Sequence, residues 1–583
     1  MRIAKLTVAA LALAGAILGP SLKLGDTASE ALATYLTVKR AESLPEKVLK
    51  VYNWEDYILP DMTAAEAEDN GYDREAIDGL NTRFENYMLT QGENVTVVYD
   101  TFDTNETMLA QLRTGRIDYD LICPSDYTIQ KMMDENLIIP FDNEEEYPGS
   151  TPYYDQYASP YLLSKLESIK AYDRYHQGED ATYEAGHVQD FMRGYMWGTL
   201  GLVYNPDFHT YQERGISPEK IREDVQSWNV LWDADYRQTA YVKDSIRDTY
   251  AVLIIQAYLP EVEELKRQYE AGEISEEDYN LQLTEIFNRC DPDTLDLVAQ
   301  SLRELTNNFY GYEVDNGKDD IQKNSTVGML LSWSGDAVYS MNSADDAGNG
   351  VRLEYALPSE GANIWFDGWV MTTYAREHGL TDIAQAYVDF LSMPVSENEE
   401  LYDMGPAVAN MDYIGYTPFI ADDQVFDYVR SSYDVRADED GVIADPEALP
   451  EGEEGVDYVV KDLTYFFSSD PETEKYYIYA DPAEADRQLD TMYPDEEQLA
   501  YLVVMADFGD NQDLVTRMWE ANKAIQMPIW VYILFGVLVV GGLLLWGFFA
   551  YKHHVVRVRR RQRREANKAK LAQQQASADT AKH

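Results

Sequence analysis

The chain is short of cysteine, histidine and positive charge. Its two cysteines, Cys123 and Cys290, cannot make a disulfide framework among 583 residues. Cys123 lies in the apolar run Leu121-Ile122-Cys123-Pro124 and reads as a small buried hydrophobe. Neither cysteine stands near the N-terminus, so none is placed there to carry a lipid. Four of the seven histidines, His176, His187, His209 and His378, precede the basic C-terminal tail, and none has metal-ligand spacing. There is no Gly-x-Ser-x-Gly elbow, no phosphate loop and no EF-hand spacing. No catalytic residue, metal ligand or cofactor is expected.

Basic residues number 47 against 104 acidic ones, a net charge of −57. Such a surface repels nucleic acid, whose binding needs clustered Lys and Arg against phosphates, and it steers cations inward. The charge is unevenly spread. Residues 551–583 carry ten Lys/Arg and two Asp/Glu, a net +8, which leaves −65 on the rest. Hydrophobic residues make up 45% and aromatics 12%, led by 45 tyrosines, enough for a large folded core.

The two ends read as membrane signals. Met1-Arg2-Ile3-Ala4-Lys5 followed by the apolar Leu6–Leu18 has the pattern of a secretion signal, so 1–33 is expected to be a signal peptide or signal anchor. Ala31-Leu32-Ala33 fits a small-x-small cleavage site. Residues 529–550 are 22 without a charge, about 33 Å of helix at ~1.5 Å per residue, which matches one hydrocarbon core. Trp530, Tyr532, Trp546 and Tyr551 flank it as interface aromatics do, and the basic tail 551–583 follows. The expectation is a transmembrane helix at 529–550 in the lipid bilayer, with a cytoplasmic tail and an extracellular acidic body on the cell membrane.

Between the ends, short apolar runs alternate with helical segments. Val48–Tyr52, Val95–Tyr99, Tyr119–Cys123, Gly201–Tyr204, Thr239–Val242, Val327–Leu331 and Leu353–Leu357 read as strands, and Asn105–Arg113 as a helix. This argues for an α/β class with a largely parallel sheet. Glu261–Arg289 reads as a helical hairpin with Ser275 capping its second helix, and 437–457 as an acidic surface loop.

A constellation recurs just past the strand ends: Asn53-Trp54-Glu55-Asp56-Tyr57, Pro124-Ser125-Asp126-Tyr127, Ser332-Trp333-Ser334-Gly335-Asp336 and Asn363-Ile364-Trp365-Phe366-Asp367. Ligands of open α/β sheets bind beyond strand carboxyl ends. Aromatic faces beside carboxylates suit an organic cation, with cation–π attraction of up to ~2 kcal/mol when desolvated. A lone Trp is more often core than ligand wall, but four such groups together favour a site.

These motifs, with Asn105-Glu106-Thr107-Met108, Asp118-Tyr119-Asp120-Leu121, Trp197-Gly198-Thr199, Ser227–Trp232 and Asp244–Tyr250 in order between them, give a chain that resembles the spermidine/putrescine-binding proteins of bacterial polyamine ABC importers. The resemblance covers roughly 49–522. It implies a two-lobed periplasmic-binding-protein-like fold of type II, with a hinge and chain crossings near Gly198, Trp365 and Asp422. Lobe 1 would hold about 49–197 and 366–421, and lobe 2 about 198–365 and 422–522. It further implies an aromatic box of Trp54, Tyr57, Tyr127, Trp333, Trp365 and Tyr416, an amine ligand on Asp367, and Asp248 where the family commonly has Glu. Glu55 and Ser125, inside the same motifs, join this set. A second family carboxylate falls at Ser245, with Asp244 adjacent as a substitute, and a family Gln falls near Met505. The implied function is capture of a polyamine and its delivery to ABC permease subunits. A membrane-tethered sensor of a cationic amine, or an enzyme on a cationic substrate, stays open as an alternative.

Overall fold

The computed structural model describes residues 26–72, 76–141, 149–167, 169, 187–313, 316–396, 404–438, 441–443, 458–523 and 529–580. They fall into two compact units, Met1–Lys523 and Ala524–His583. The apolar stretch Leu6–Leu18 and most of the acidic loop 437–457 lie outside the described residues. Ala31-Leu32-Ala33 lies inside a helix, Asp26–Ala41.

The first unit is built on two long strands, β5 (Arg193–Tyr204) and β10 (Ala362–Thr372), buried along their whole lengths. They run antiparallel from Ile364↔Thr199 to Trp369↔Arg193, with Trp365 opposite Gly198. One parallel group, β1 (Lys47–Trp54), β2 (Val95–Phe102) and β3 (Leu121–Ile122), joins the C-terminal end of β10 through β3, beside β4 (Ile138–Ile139). A second group, β6 (Ala240–Lys243), β7 (Gly311–Glu313) and β8 (Met329–Trp333), is parallel within itself. It joins the C-terminal half of β5 antiparallel through β8, and β9 (Glu354–Ala356) pairs there too. β11 (Thr417–Pro418) pairs with β5, while β14 (Leu502–Val504) pairs with the start of β10. β12 (Val459–Asp462) and β13 (Tyr477–Ala480) form a separate ribbon.

The α/β class is as expected, but the sheet is mixed rather than largely parallel. Its two parallel groups are spliced by an antiparallel pair. This changes where two expected site residues sit. Trp365 and Asp367 were expected past the end of the strand at Leu353–Leu357; instead they lie inside β10. An aspartate followed by Gly368 mimics a strand end in sequence, yet here the pairing continues across a register irregularity at Asp367/Gly368. A bulge of this kind turns one side chain out of the ladder, a device common beside functional sites.

The hairpin is present as helices Leu259–Glu270 and Glu276–Phe287, turned at Gly272 (φ +68°). Tyr269 and Tyr279 stack across it at 4.7 Å, and Ser275 accepts the Asp278 N–H at 3.1 Å. Asn280 ties it to β14 by donating to the carbonyls of Ala500 (3.0 Å) and Leu502 (2.9 Å).

The described part of the second unit is one helix of 52 residues, Ile529–Thr580. Leu543, Leu544, Leu545, Trp546, Phe548 and Phe549 are exposed on it. Among the described residues no helix is long and apolar enough to cross a membrane. The side chains of 529–539 and 550, within the expected span, lie outside the described ones.

Candidate binding cleft

The loops leaving β1, β3, β6 and β8 converge with the middle of β10 on one cavity of about 320 Å³. That is within the range of small-molecule sites. All eleven residues expected from the sequence line it: Trp54, Glu55, Tyr57, Ser125, Tyr127, Asp244, Asp248, Trp333, Trp365, Asp367 and Tyr416.

Trp54 closes β1, and its ring leans on Phe102 at 4.6 Å. The next residues, Glu55 and Asp56, are exposed at the rim, and Asp56 takes φ +52°, a left-handed conformation that aspartate tolerates better than most residues. Tyr57 then turns inward. Its hydroxyl donates to Asp367 Oδ2 at 3.0 Å, and its ring meets Tyr416 edge-on at 4.9 Å. The Tyr195 hydroxyl fixes this turn by donating to the Tyr57 carbonyl at 2.7 Å.

Asn105, buried at the start of helix Asn105–Arg113, organises the second wall. Its Nδ2 donates to Ser125 Oγ (3.1 Å) and to the Tyr127 hydroxyl (2.8 Å). Ser125 also bridges to Asp367 through the backbone. Trp365 lies over Gly198, where an added Cβ would stand 2.5 Å from the ring and 2.3 Å from Ser334 Oγ. Tyr416 packs on Gly335, and its hydroxyl donates to Asp336 Oδ1 at 2.8 Å.

Two buried carboxylates set the electrostatics. Burial pushes Asp367 up to about 7, with the Ser125 and Tyr57 hydroxyls pulling against it and Asp248 pushing with it. Its Oδ1 has no hydrogen-bond partner among the described residues. Asp248, in the first turn of helix Ile246–Ala257, is also raised by burial, against side-chain hydrogen bonds from Ser245 and Trp333. A buried carboxylate with an idle oxygen is costly unless a cation completes it. Asp244 lines the cavity too, but its carboxylate is already paired with Lys523.

Sequence reasoning missed Lys243, Lys318 and Asn105. Lys243 ends an apolar strand, where a lone lysine reads as a solvated tip, yet it is 1% exposed. Lys318 lies 4.0 Å from both Asp56 and Asp336. Only Asn105 had a usable signal, a polar residue opening an amphipathic helix. Met505, where the family Gln was expected, also lines the cavity.

Aromatic walls around two buried carboxylates, one of them with an idle oxygen, suit an organic cation. The model of the bacterial extracellular solute-binding protein family matches residues 83–423. The chain belongs to that family, which consists of binding proteins and not enzymes. It is 23% identical over 356 residues to the putrescine-binding periplasmic protein of Escherichia coli (strain K12), covering 60% of this chain and 74% of that one. It is 23% identical over 380 residues to the spermidine/putrescine-binding periplasmic protein of Salmonella typhimurium, covering 65% and 82%. Among solved structures, the spermidine/putrescine ABC transporter substrate-binding protein of Streptococcus pneumoniae aligns with a TM-score of 0.45 at 21% identity, over 82% of this chain and 98% of that one.

Proposed function

We propose that this protein captures a polyamine outside the cytoplasm and delivers it to the permease subunits of an ABC importer. The carrying observation is Asp367: buried, raised by that burial, and holding one oxygen idle beside Trp365 and Asp248. An ammonium there completes the carboxylate, while the aromatic walls cover the methylene stem. The names of the relatives, binders of putrescine and spermidine, support the same reading. The eleven residues above are the proposed ligand contacts, with Asp244 engaging only if Lys523 gives way.

The two-lobed division is part of this proposal, with lobes of about 49–197 plus 366–421 and 198–365 plus 422–522. It is supported by the pairing of Gly198 with Trp365 across β5 and β10, at the expected crossings. So is the anchor: the uncharged run at 529–550, inside one continuous 52-residue helix and followed by a basic tail, would hold the protein in the bilayer with that tail cytoplasmic.

Calorimetric titration of the full-length chain in detergent with putrescine and spermidine tests the ligand. Micromolar or tighter binding of either is expected. No binding, or tighter binding of an anion or a sugar, would sink the reading. Alkaline carbonate washing of cell membranes tests the anchor. The full chain should stay with the membrane, and release into the wash would refute a span.

A further inference from the structure

Lys243 lies among the aromatic walls of the cavity and already satisfies part of it. Its ammonium sits 3.0 Å from Glu313, 3.1 Å from Asp336 and 3.9 Å from the centre of the Trp333 ring. An indole face with carboxylates alongside is what the head of an organic amine would seek. Here the chain's own ammonium has taken one face of the Trp333 ring. Burial works to strip the proton from Lys243, but Asp336 and Glu313 outweigh it and keep the group charged. Burial likewise works to raise Asp336, and Lys243 with Lys318 more than reverses it.

The remaining carboxylates divide accordingly. Asp336 is engaged by Lys243 and by the Tyr416 hydroxyl. Glu313 is held by Lys243 and by the Gly317 N–H at 2.9 Å. Of the carboxylates that line the cavity, the buried ones left for a ligand are Asp367 and Asp248, while Glu55, Asp56 and Glu106 line it from exposed positions. We propose that Lys243 is a specificity-determining residue: a built-in ammonium that occupies the subsite at Trp333 and limits the ligand to linear amines with two cationic centres, against triamines. A third ammonium at the Trp333 subsite would have to displace Lys243 or sit beside it, and like charges that close in a buried site repel strongly.

This rests on the polyamine reading above, and the test separates the two. The full-length chain in detergent is titrated with putrescine and with spermidine, as wild type, as Lys243→Met, and as Lys243→Met/Glu313→Gln, which restores the charge balance around the vacated position. Wild type should bind putrescine at least tenfold tighter than spermidine, and each folded variant should move that ratio at least tenfold toward spermidine. Equal or tighter spermidine binding by wild type overturns the proposal whether or not the variants fold. So does an unchanged ratio in a folded variant. If wild type binds neither amine, the polyamine reading itself falls and the proposal with it.

Discussion

Asp367 links affinity to pH. In the free protein its carboxyl stands at about 7. An ammonium beside it favours the ionised form, so binding below that pH expels a proton. Affinity should therefore fall by up to tenfold for each unit that pH drops below about 7, and level off above it. Titration in two buffers of different ionisation heat reads the released proton directly. Stability has the opposite sense. An unfolded aspartate ionises near pH 3.9, so the folded state loses stability as pH rises from about 4 to about 7. Asp367→Asn removes that cost. It should raise the melting temperature of the ligand-free protein at pH 8 and not at pH 4, while weakening amine binding at least 30-fold. Trp365→Ala should weaken binding about tenfold by opening one wall, with little pH dependence of its own.

At the scale of elements, close packing positions the walls. An added Cβ at Gly335, in helix Ser334–Ala347, would stand 2.3 Å from the Tyr416 ring. Gly335→Ala should leave the far-ultraviolet dichroism intact and weaken binding several-fold, because Tyr416 must move off Asp336. Asn280→Ala, which is not part of the cavity lining, should cost about 1–3 kcal/mol of stability by orphaning the carbonyls of Ala500 and Leu502, and leave affinity unchanged. The same close packing decided what could be read from the sequence. Helix Asn105–Arg113 was legible to the residue because its polar start and apolar face are local signals. Only Gly201–Tyr204 of β5 was. Its first eight residues include Gly194 and Gly198, which look like strand breakers, but Phe419 and Trp365 occupy the space where their side chains would be. The cleft was legible through its aromatics and carboxylates. Lys243 was not, because its partners Glu313 and Asp336 lie 70 and 93 residues away along the chain.

For the whole molecule, the concentration of negative charge before residue 551 bears on the rate of capture. A field of that sign draws a dication inward and is screened by salt. The association rate for putrescine should drop several-fold between about 10 and 500 mM salt in stopped-flow fluorescence, with a much smaller change in dissociation. The long pair β5 and β10 carries a different consequence. Trp365 and Asp367 are interior residues of β10, and their neighbours are tied by backbone hydrogen bonds to β5. A ligand held there is held by the central seam and not by a surface flap. Occupancy should therefore be written into the amide protons of these two buried strands. Deuterium uptake along 193–199 and 362–369 should slow on binding, so that the most deeply sequestered strands report most directly what has arrived from outside.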